Sequence, residues 1–144
     1  MRIAVLGAGA WGTALAVAAA QRHEVLLWAR DPAQAEALNL ARENARYLPG
    51  VALPAALAVS ADLARAVAHA QGDDGLLVLA TPMAALRERL AALPAGMPAL
   101  WLCKGFEKDS GLLGHEIAAQ LRPTEAAGVL SGPSFAQEVA AGRP

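Results

Sequence analysis

The sequence is poor in cysteine, lysine and aromatic residues, and it lacks long apolar segments. Its single cysteine, Cys103, excludes a disulfide within the chain and fits a reducing cytoplasm. Lysine occurs only at Lys104 and Lys108, and the net charge is −1, so no basic face indicates nucleic-acid binding. The longest apolar run, residues 14–20, is too short to cross a bilayer, and no membrane span is predicted.

The chain is nevertheless rich in small apolar residues. Hydrophobic residues make up 56% of its 144 positions, many of them alanine, which suits helices packed closely on a sheet. We expect one domain over residues 1–144. Because the first apolar segment starts at residue 2, we expect no signal peptide and a cytoplasmic location.

A glycine motif follows the first apolar segment directly. Residues 7–12 read Gly-Ala-Gly-Ala-Trp-Gly, the G-x-G-x-x-G pattern of dinucleotide sites, placed where a strand turns into a helix. Gly7 suits a tight turn, Gly9 suits close approach of a pyrophosphate, and Gly12 suits close packing of helix on strand. The amino terminus of the next helix would direct N–H groups toward the phosphates. The alternative is an ordinary structural turn.

Apolar strand patterns alternate with helical patterns along the rest of the chain, which predicts an α/β doubly wound Rossmann domain. We expect a mainly parallel sheet with strand order 3-2-1-4-5-6 and a ligand site at the carboxyl ends of the strands. The predicted strands are residues 2–6, 24–29, 58–59, 76–80, 99–103 and 129–130. The predicted helices are residues 10–22, 32–44, 60–72, 83–93 and 112–121, with a last one from Ser134; residues 47–50 are predicted as a loop.

Arg30 follows the second predicted strand, where a Rossmann domain contacts the adenosine ribose. An arginine there can pair with the 2′-phosphate of NADP, whereas an acid there accepts from the ribose hydroxyls of NAD. Arg30 slightly favours NADP over NAD, but the neighbouring Asp31 leaves the choice open. Arg30 could also be a solvated loop charge, with Asp31 only capping a helix.

Other candidates follow the later strands. Thr81 and Pro82 would lie beside the nicotinamide ribose or simply start a helix. Lys104 ends an apolar strand, where it would meet a phosphate or a nicotinamide-side oxygen, or else stay solvated. Cys103 is more typical of a small buried apolar residue than of a nucleophile.

The segment after the last predicted strand, residues 131–136, offers backbone and hydroxyl donors to an anion or polyol, although Ser134 could act only as a helix cap. His23, His69 and His115 show no spacing for a triad or a metal site, and no metal is expected.

These residues resemble one family, the amino-terminal domain of bacterial NAD(P)-dependent glycerol-3-phosphate dehydrogenase. The most specific matching segment is Ser-Gly-Pro-Ser-Phe-Ala at residues 131–136, followed by Glu-Val-Ala. The other matching segments are residues 7–16, 23–25, 27–30, 44–49 and 103–105.

The resemblance implies reversible reduction of dihydroxyacetone phosphate to sn-glycerol 3-phosphate for phospholipid synthesis. It also implies which residues contact the ligands. It places Trp11, Arg30, Lys104 and Ala136 at the dinucleotide, which joins them to the contacts expected from the glycine motif itself, Gly7, Gly9, Ala10 and Gly12. The substrate contacts would be Lys104, Gly132 and Ser134. A homodimer is compatible with this resemblance.

Members of that family continue into a second, mostly helical domain, which the resemblance implies is the source of the lysine acting as general acid/base. Neither lysine here matches it, so we assign no catalytic residue and expect residues 1–144 to be inactive alone. Two alternatives stay open. One is a related reductase of a small keto acid, and the other is a stand-alone dinucleotide-binding or redox-sensing module.

Overall fold

The computed structural model describes residues 1–143. Its strands are β1 (Arg2–Leu6), β2 (Glu24–Trp28), β3 (Glu43–Asn44), β4 (Leu48–Ala52), β5 (Ala58–Ser60), β6 (Gly75–Leu79), β7 (Ala99–Trp101) and β8 (Ala127–Val129). Its helices are α1 (Ala10–Ala19), α2 (Pro32–Ala41), α3 (Leu63–His69), α4 (Met83–Ala91), α5 (Gly114–Leu121) and α6 (Ala136–Ala140).

Six strands form one parallel sheet in the order β5-β2-β1-β6-β7-β8. Numbered along the chain, these six strands have the order 3-2-1-4-5-6, so the predicted doubly wound Rossmann architecture is confirmed. The order reverses beside β1, whose carboxyl end leads into the glycine motif. Ligands of such sheets bind at this reversal.

Alternate residues of each strand point to opposite faces of the sheet, and each face has its own core. On β1, Ala4 and Leu6 pack with α3, α4 and α5, while Ile3 and Val5 pack with α1 and α2. Both faces of the central strands are therefore buried, as their nearly continuous apolar sequences predict. A smaller cluster of Ala14, Leu48 and Ala136 joins α1, β4 and α6.

The structure differs from the sequence prediction between residues 41 and 52. The second helix ends at Ala41 rather than at Asn44, so that Glu43–Asn44, predicted as helix, forms β3. Most of the predicted loop at residues 47–50 falls in β4, which pairs with β3 in an antiparallel ribbon. The helix ends because Arg42 adopts a left-handed conformation with φ of 53°. Its guanidinium donates hydrogen bonds of 2.7 Å to the carbonyl oxygens of Pro54 and Leu57, which hold this conformation in place.

Other boundaries shift by a few residues. The first helix ends at Ala19 instead of residue 22, and α5 begins at Gly114 instead of residue 112. The last strand covers Ala127–Val129 rather than residues 129–130, and the N–H of Leu130 continues the pairing by donating to the carbonyl of Trp101 at 2.9 Å. The final helix begins at Ala136, so Ser134 precedes it.

Candidate dinucleotide site

A cleft of about 820 Å³ opens at the carboxyl ends of β1, β2, β6, β7 and β8. We call it the coenzyme cleft. It is the edge at which the strand order predicts a ligand. The sequence-predicted contact residues that line it are Gly7, Gly9, Ala10, Trp11, Gly12, Arg30, Lys104, Gly132 and Ser134. The topology thus brings together positions that are far apart in the sequence.

The glycine motif forms one wall of the coenzyme cleft, and its glycines differ in their surroundings. Gly7 has φ of 124°, and a Cβ there would lie 2.5 Å from the carbonyl oxygen of Ala80 on the neighbouring strand end. A Cβ on Gly12 would collide with the carbonyl oxygen of Gly7, so α1 can pack this closely on β1 only with glycine. By contrast, nothing lies within 4 Å of a Cβ built on Gly9. The space over Gly9 is open toward an incoming ligand.

The amino end of α1 faces the same space. Gly9 is its N-cap residue, and no side chain caps the helix. The free N–H groups of the first turn and the positive end of the helix dipole make this end suitable for a pyrophosphate. The residues therefore fit a dinucleotide: an open cradle over Gly9 lies beside an uncapped helix terminus.

Two side-chain amides hold the glycine motif in place, and sequence reasoning missed both. Nε2 of Gln34 donates to the carbonyl oxygen of Ala8 at 3.1 Å, and Nδ2 of Asn44 donates to the same oxygen at 2.9 Å. Asn44 also donates to Oγ1 of Thr13 at 2.8 Å, and both residues are buried. The sequence places Asn44 at the end of a predicted helix and at the start of one segment that resembles the family, and neither position indicates this role. Its partners lie more than thirty residues earlier, so no local pattern indicates them.

Asp31 and Arg30, adjacent in the sequence, have different positions in the structure. Its Oδ1 accepts a hydrogen bond of 2.9 Å from the N–H of Ala33, which makes it the N-cap of α2, and it does not line the coenzyme cleft. Arg30 does line the cleft, and its side chain is exposed. Neither of the two ion pairs found within residues 1–143 includes Arg30.

The opposite end of the coenzyme cleft follows β6 and β7. Lys104 is exposed here, and it lines the cleft. Burial raises the pKa of the neighbouring Cys103 thiol, which favours its neutral form. Oγ1 of Thr81 also lies here, buried and without a hydrogen-bond partner.

The segment after β8 contributes two of the predicted substrate contacts. Gly132 and Ser134 line the coenzyme cleft. The N-cap of α6 is Phe135, not Ser134, so the structure does not place Ser134 as the helix cap. Ala136 is 9% exposed, packs against Ala14 and Leu48, and does not line the cleft.

Within residues 1–143, no three His, Cys, Asp or Glu side chains lie close enough together to hold a metal ion. Over the same residues, none of the helices combines the length and the apolar character that crossing a membrane requires. The three histidines do not line the coenzyme cleft.

Comparison with known proteins agrees with this geometry. The family described as NAD-dependent glycerol-3-phosphate dehydrogenase N-terminus matches residues 2–144. The chain belongs to this family. Membership agrees with the family resemblance read from the sequence.

Curated relatives extend the match. The chain is 63% identical over 145 residues to glycerol-3-phosphate dehydrogenase [NAD(P)+] of Methylibium petroleiphilum, covering 100% of this chain and 44% of that protein. It is 62% identical over 154 residues to the enzyme of the same name from Variovorax paradoxus, again covering 100% of this chain and 44% of the relative. The chain thus spans less than half the length of these relatives and corresponds to their amino-terminal, NAD-binding part.

Solved structures of family members share the fold. The crystal structure of glycerol-3-phosphate dehydrogenase from Coxiella burnetii superposes with a TM-score of 0.86 at 33% identity, covering 99% of this chain and 44% of that one. The enzyme from Saccharomyces cerevisiae superposes with a TM-score of 0.75 at 26% identity, covering 98% and 44%. The chain therefore has the fold of the corresponding part of these glycerol-3-phosphate dehydrogenases.

Proposed function

We propose that this chain binds NADH or NADPH for hydride transfer between the coenzyme and dihydroxyacetone phosphate, the reaction that yields sn-glycerol 3-phosphate for glycerophospholipid synthesis. The observation that carries the proposal is the open cradle over Gly9 beside the uncapped terminus of α1, set in a cleft of about 820 Å³. When bound, the nicotinamide ring would supply or accept the hydride. The chain's own residues would bind the coenzyme and the substrate and orient them for this transfer.

The two ends of the coenzyme cleft take different parts of the coenzyme in this proposal. Backbone groups of residues 7–12 hold the pyrophosphate, and Arg30 lies at the adenosine end, after β2. Lys104 lies at the nicotinamide end, after β7. The side chain of Ala136 is buried against Ala14 of α1, so in this proposal it supports the helix that faces the pyrophosphate and does not contact the coenzyme directly.

The charges of the coenzyme cleft suit an anionic substrate. The charged side chains that line it are Arg30, Arg89 and Lys104, and no carboxylate lines it among residues 1–143. We assign the substrate phosphate to Lys104, with Gly132 and Ser134 beside it, because these residues follow the adjacent strands β7 and β8. An ammonium group binds phosphate as a point charge, without demanding a fixed orientation.

Proton transfer is the step for which the coenzyme cleft has the fewest candidates. Reduction of a ketone leaves an alkoxide that must gain a proton, and a positioned general acid contributes roughly 10²- to 10⁴-fold. No His, Asp or Glu lines the cleft in the described part of the chain, and Lys104 is assigned to binding. We therefore assign no catalytic residue here and propose that a polypeptide of these 144 residues alone reduces the ketone negligibly.

Titration of the purified protein with NADH and NADPH tests coenzyme binding. Trp11 is 42% exposed and lines the coenzyme cleft, so its fluorescence should change on binding. Calorimetry should give the same affinity. Absence of binding to either coenzyme at millimolar concentration would contradict the proposal.

Substrate binding needs a separate measurement. Dihydroxyacetone phosphate should bind more weakly to Lys104→Ala than to the unaltered protein, while Lys108→Ala should behave as unaltered, because Lys108 is exposed and does not line the cleft. Oxidation of NADPH in the presence of substrate, compared with the full-length Methylibium relative, measures residual activity. A rate near that of the relative would place the general acid within residues 1–144.

Two further expectations stay predictions, a cytoplasmic location and a homodimer. Light scattering of the purified protein measures its oligomeric state, and fractionation of cells that produce it measures its location.

A further inference from the structure

None of the three cations that line the coenzyme cleft has an ion-pair partner in the part of the chain that the structure describes, and one of them, Arg89, is considered first. Arg89 of α4 lines the cleft, and neither ion pair within residues 1–143 includes it. Its Nε is buried and makes no hydrogen bond within the described residues. The residue as a whole is half-buried and lines the cleft, so its guanidinium is a cation that an anionic ligand in the cleft would neutralise.

Arg89 is held at the adenosine end of the coenzyme cleft. Its Cζ lies 4.8 Å from the centre of the Trp28 ring. Trp28 ends β2, is 4% exposed, and donates from Nε1 to the carbonyl oxygen of Ala61 at 3.0 Å, so the indole is a fixed platform. Arg30 follows Trp28 by two residues. One arginine from α4 and one from the end of β2 therefore reach the same end of the cleft.

Within residues 1–143, no carboxylate lines this end of the coenzyme cleft. Asp31, beside Arg30, is used as the N-cap of α2, and Glu88, beside Arg89, is exposed; neither lines the cleft. The pyrophosphate belongs to the glycine motif, so it does not account for two guanidinium groups beyond it. A 2′-phosphate on the adenosine would add an anion beside Arg30, and guanidinium groups suit phosphate because they donate in a planar fork.

We propose that Arg89 is a second specificity-determining residue for the coenzyme, which together with Arg30 recognises the 2′-phosphate of a 2′-phosphorylated adenosine. The proposal rests on the proposed function in taking the coenzyme cleft as a dinucleotide site. Stacking on Trp28 keeps Arg89 in the cleft before the ligand arrives, which reduces the side-chain entropy lost on binding. With both arginines at the 2′-phosphate, the preference for NADPH over NADH should be larger than Arg30 alone would give.

Adenosine fragments test this without the nicotinamide. Calorimetry with 2′,5′-ADP and with 5′-AMP isolates the contribution of the 2′-phosphate. We expect Arg89→Leu, which keeps apolar contact with Trp28, to weaken 2′,5′-ADP by about tenfold or more, the range of a charge-assisted hydrogen bond, and to change 5′-AMP by less than about twofold. Arg89→Lys should recover part of the loss, because it restores the charge without the fork.

Arg65→Leu is the matched control. Arg65 is exposed on α3 and does not line the coenzyme cleft, so this variant loses the same charge outside the site and should bind both fragments normally. Melting temperatures show whether each variant is folded. If Arg89→Leu is unfolded, Arg89→Gln, which keeps a long polar side chain without the charge, should show the same selective loss.

Three results would overturn the proposal. If Arg89→Leu loses affinity for both fragments equally, Arg89 contacts the adenosine part that they share. If its affinities for both are unchanged, Arg89 only packs on Trp28. If the unaltered protein binds 2′,5′-ADP no more tightly than 5′-AMP, the cleft has no 2′-phosphate site. Each leaves the proposed function standing if NADH still binds. Failure of the proposed function is instead absence of binding to both NADH and NADPH.

Discussion

Nδ2 of Asn44 donates a hydrogen bond of 2.8 Å to Oγ1 of Thr13, a residue with no solvent exposure in the first turns of α1. This bond ties the ribbon of β3 and β4 to the helix whose amino end faces the coenzyme cleft. Asn44 also donates to the carbonyl oxygen of Ala8, inside the glycine motif. The ribbon therefore supports the glycine motif, although it belongs to a separate sheet.

Replacing Asn44 should therefore weaken both the fold and the site. Asn44→Ala leaves the Thr13 hydroxyl without its buried donor, and each unsatisfied group costs about 1 to 3 kcal/mol. We expect a loss in that range in the free energy of unfolding, measured with urea, and weaker NADH binding. Gln34→Ala is a milder comparison, because Asn44 still satisfies Ala8 in that variant. Equal effects of the two changes would contradict the supporting role given to Asn44.

Gly9 and Gly12 should respond in opposite ways to the same substitution. A Cβ on Gly12 collides with backbone of Gly7, so Gly12→Ala should destabilise the protein. A Cβ on Gly9 meets nothing within 4 Å, so Gly9→Ala should leave the melting temperature close to that of the unaltered protein. Gly9→Ala should nevertheless weaken the binding of NADH and of NADPH, because the methyl group occupies the space left for the pyrophosphate. Thermal melts and fluorescence titrations of both variants measure this contrast. Normal coenzyme affinity in Gly9→Ala would show that the ligand does not approach this residue.

The sheet could be predicted from the sequence because the pattern that indicates each strand or helix lies within that segment itself. Short apolar strands, alternating with helical segments and punctuated by glycine and proline, define the order of a doubly wound sheet once the crossover rule is applied. The glycine motif, Arg30 and Lys104 could be placed for the same reason, since each follows a strand directly.

The rest depends on contacts between distant residues. Arg42 ends α2 because carbonyls twelve and fifteen residues later bind its guanidinium, and nothing in residues 32–44 themselves indicates that. Arg89 occupies a helix with mixed polar and apolar residues, where an arginine is typically solvated. Its position in the coenzyme cleft depends on a contact with a distant residue, because its guanidinium stacks on the ring of Trp28 at the end of β2.

Arg30 offers a direct test of coenzyme choice. With Asp31 engaged as a helix cap, Arg30 is free to pair with a 2′-phosphate, and a charge-assisted pair of this kind contributes about 1.5 to 3 kcal/mol. Arg30→Ala should weaken the binding of NADPH by that amount and leave the affinity for NADH nearly unchanged, as measured by calorimetry at fixed ionic strength. Equal losses for both coenzymes would mean that Arg30 contacts a part that they share.

Combining Arg30→Ala with Arg89→Leu extends that test. If both arginines bind one phosphate, the losses in NADPH binding free energy from the two changes should not add. Once one arginine is gone, the phosphate is held less firmly, so removing the second arginine costs a different amount than it does in the unaltered protein. Strict additivity would indicate that the two residues act on separate parts of the coenzyme.

The ion pair between Arg87 and Glu107 predicts how stability depends on pH. Nε and Nη2 of Arg87 each donate to the Glu107 carboxylate at 2.9 Å, linking α4 to the segment that follows Lys104. These hydrogen bonds, and a further one from Ser110, lower the pKa of Glu107 from its ordinary value of 4.5. The folded protein therefore binds this proton less readily than the unfolded chain does.

The contribution of this pair to stability is fully present above pH 4.5 and is lost as the pH falls below it toward the lowered pKa of the folded state. Glu107→Gln should remove that dependence, so its melting temperature should fall less steeply on acidification than that of the unaltered protein. Glu88→Gln, an exposed position on α4, is the matched control and should keep the original slope. Calorimetric melts between neutral pH and about pH 3 measure the slopes. An unchanged slope in Glu107→Gln would mean that the pair contributes nothing to acid sensitivity, because the fold then loses stability through other carboxylates.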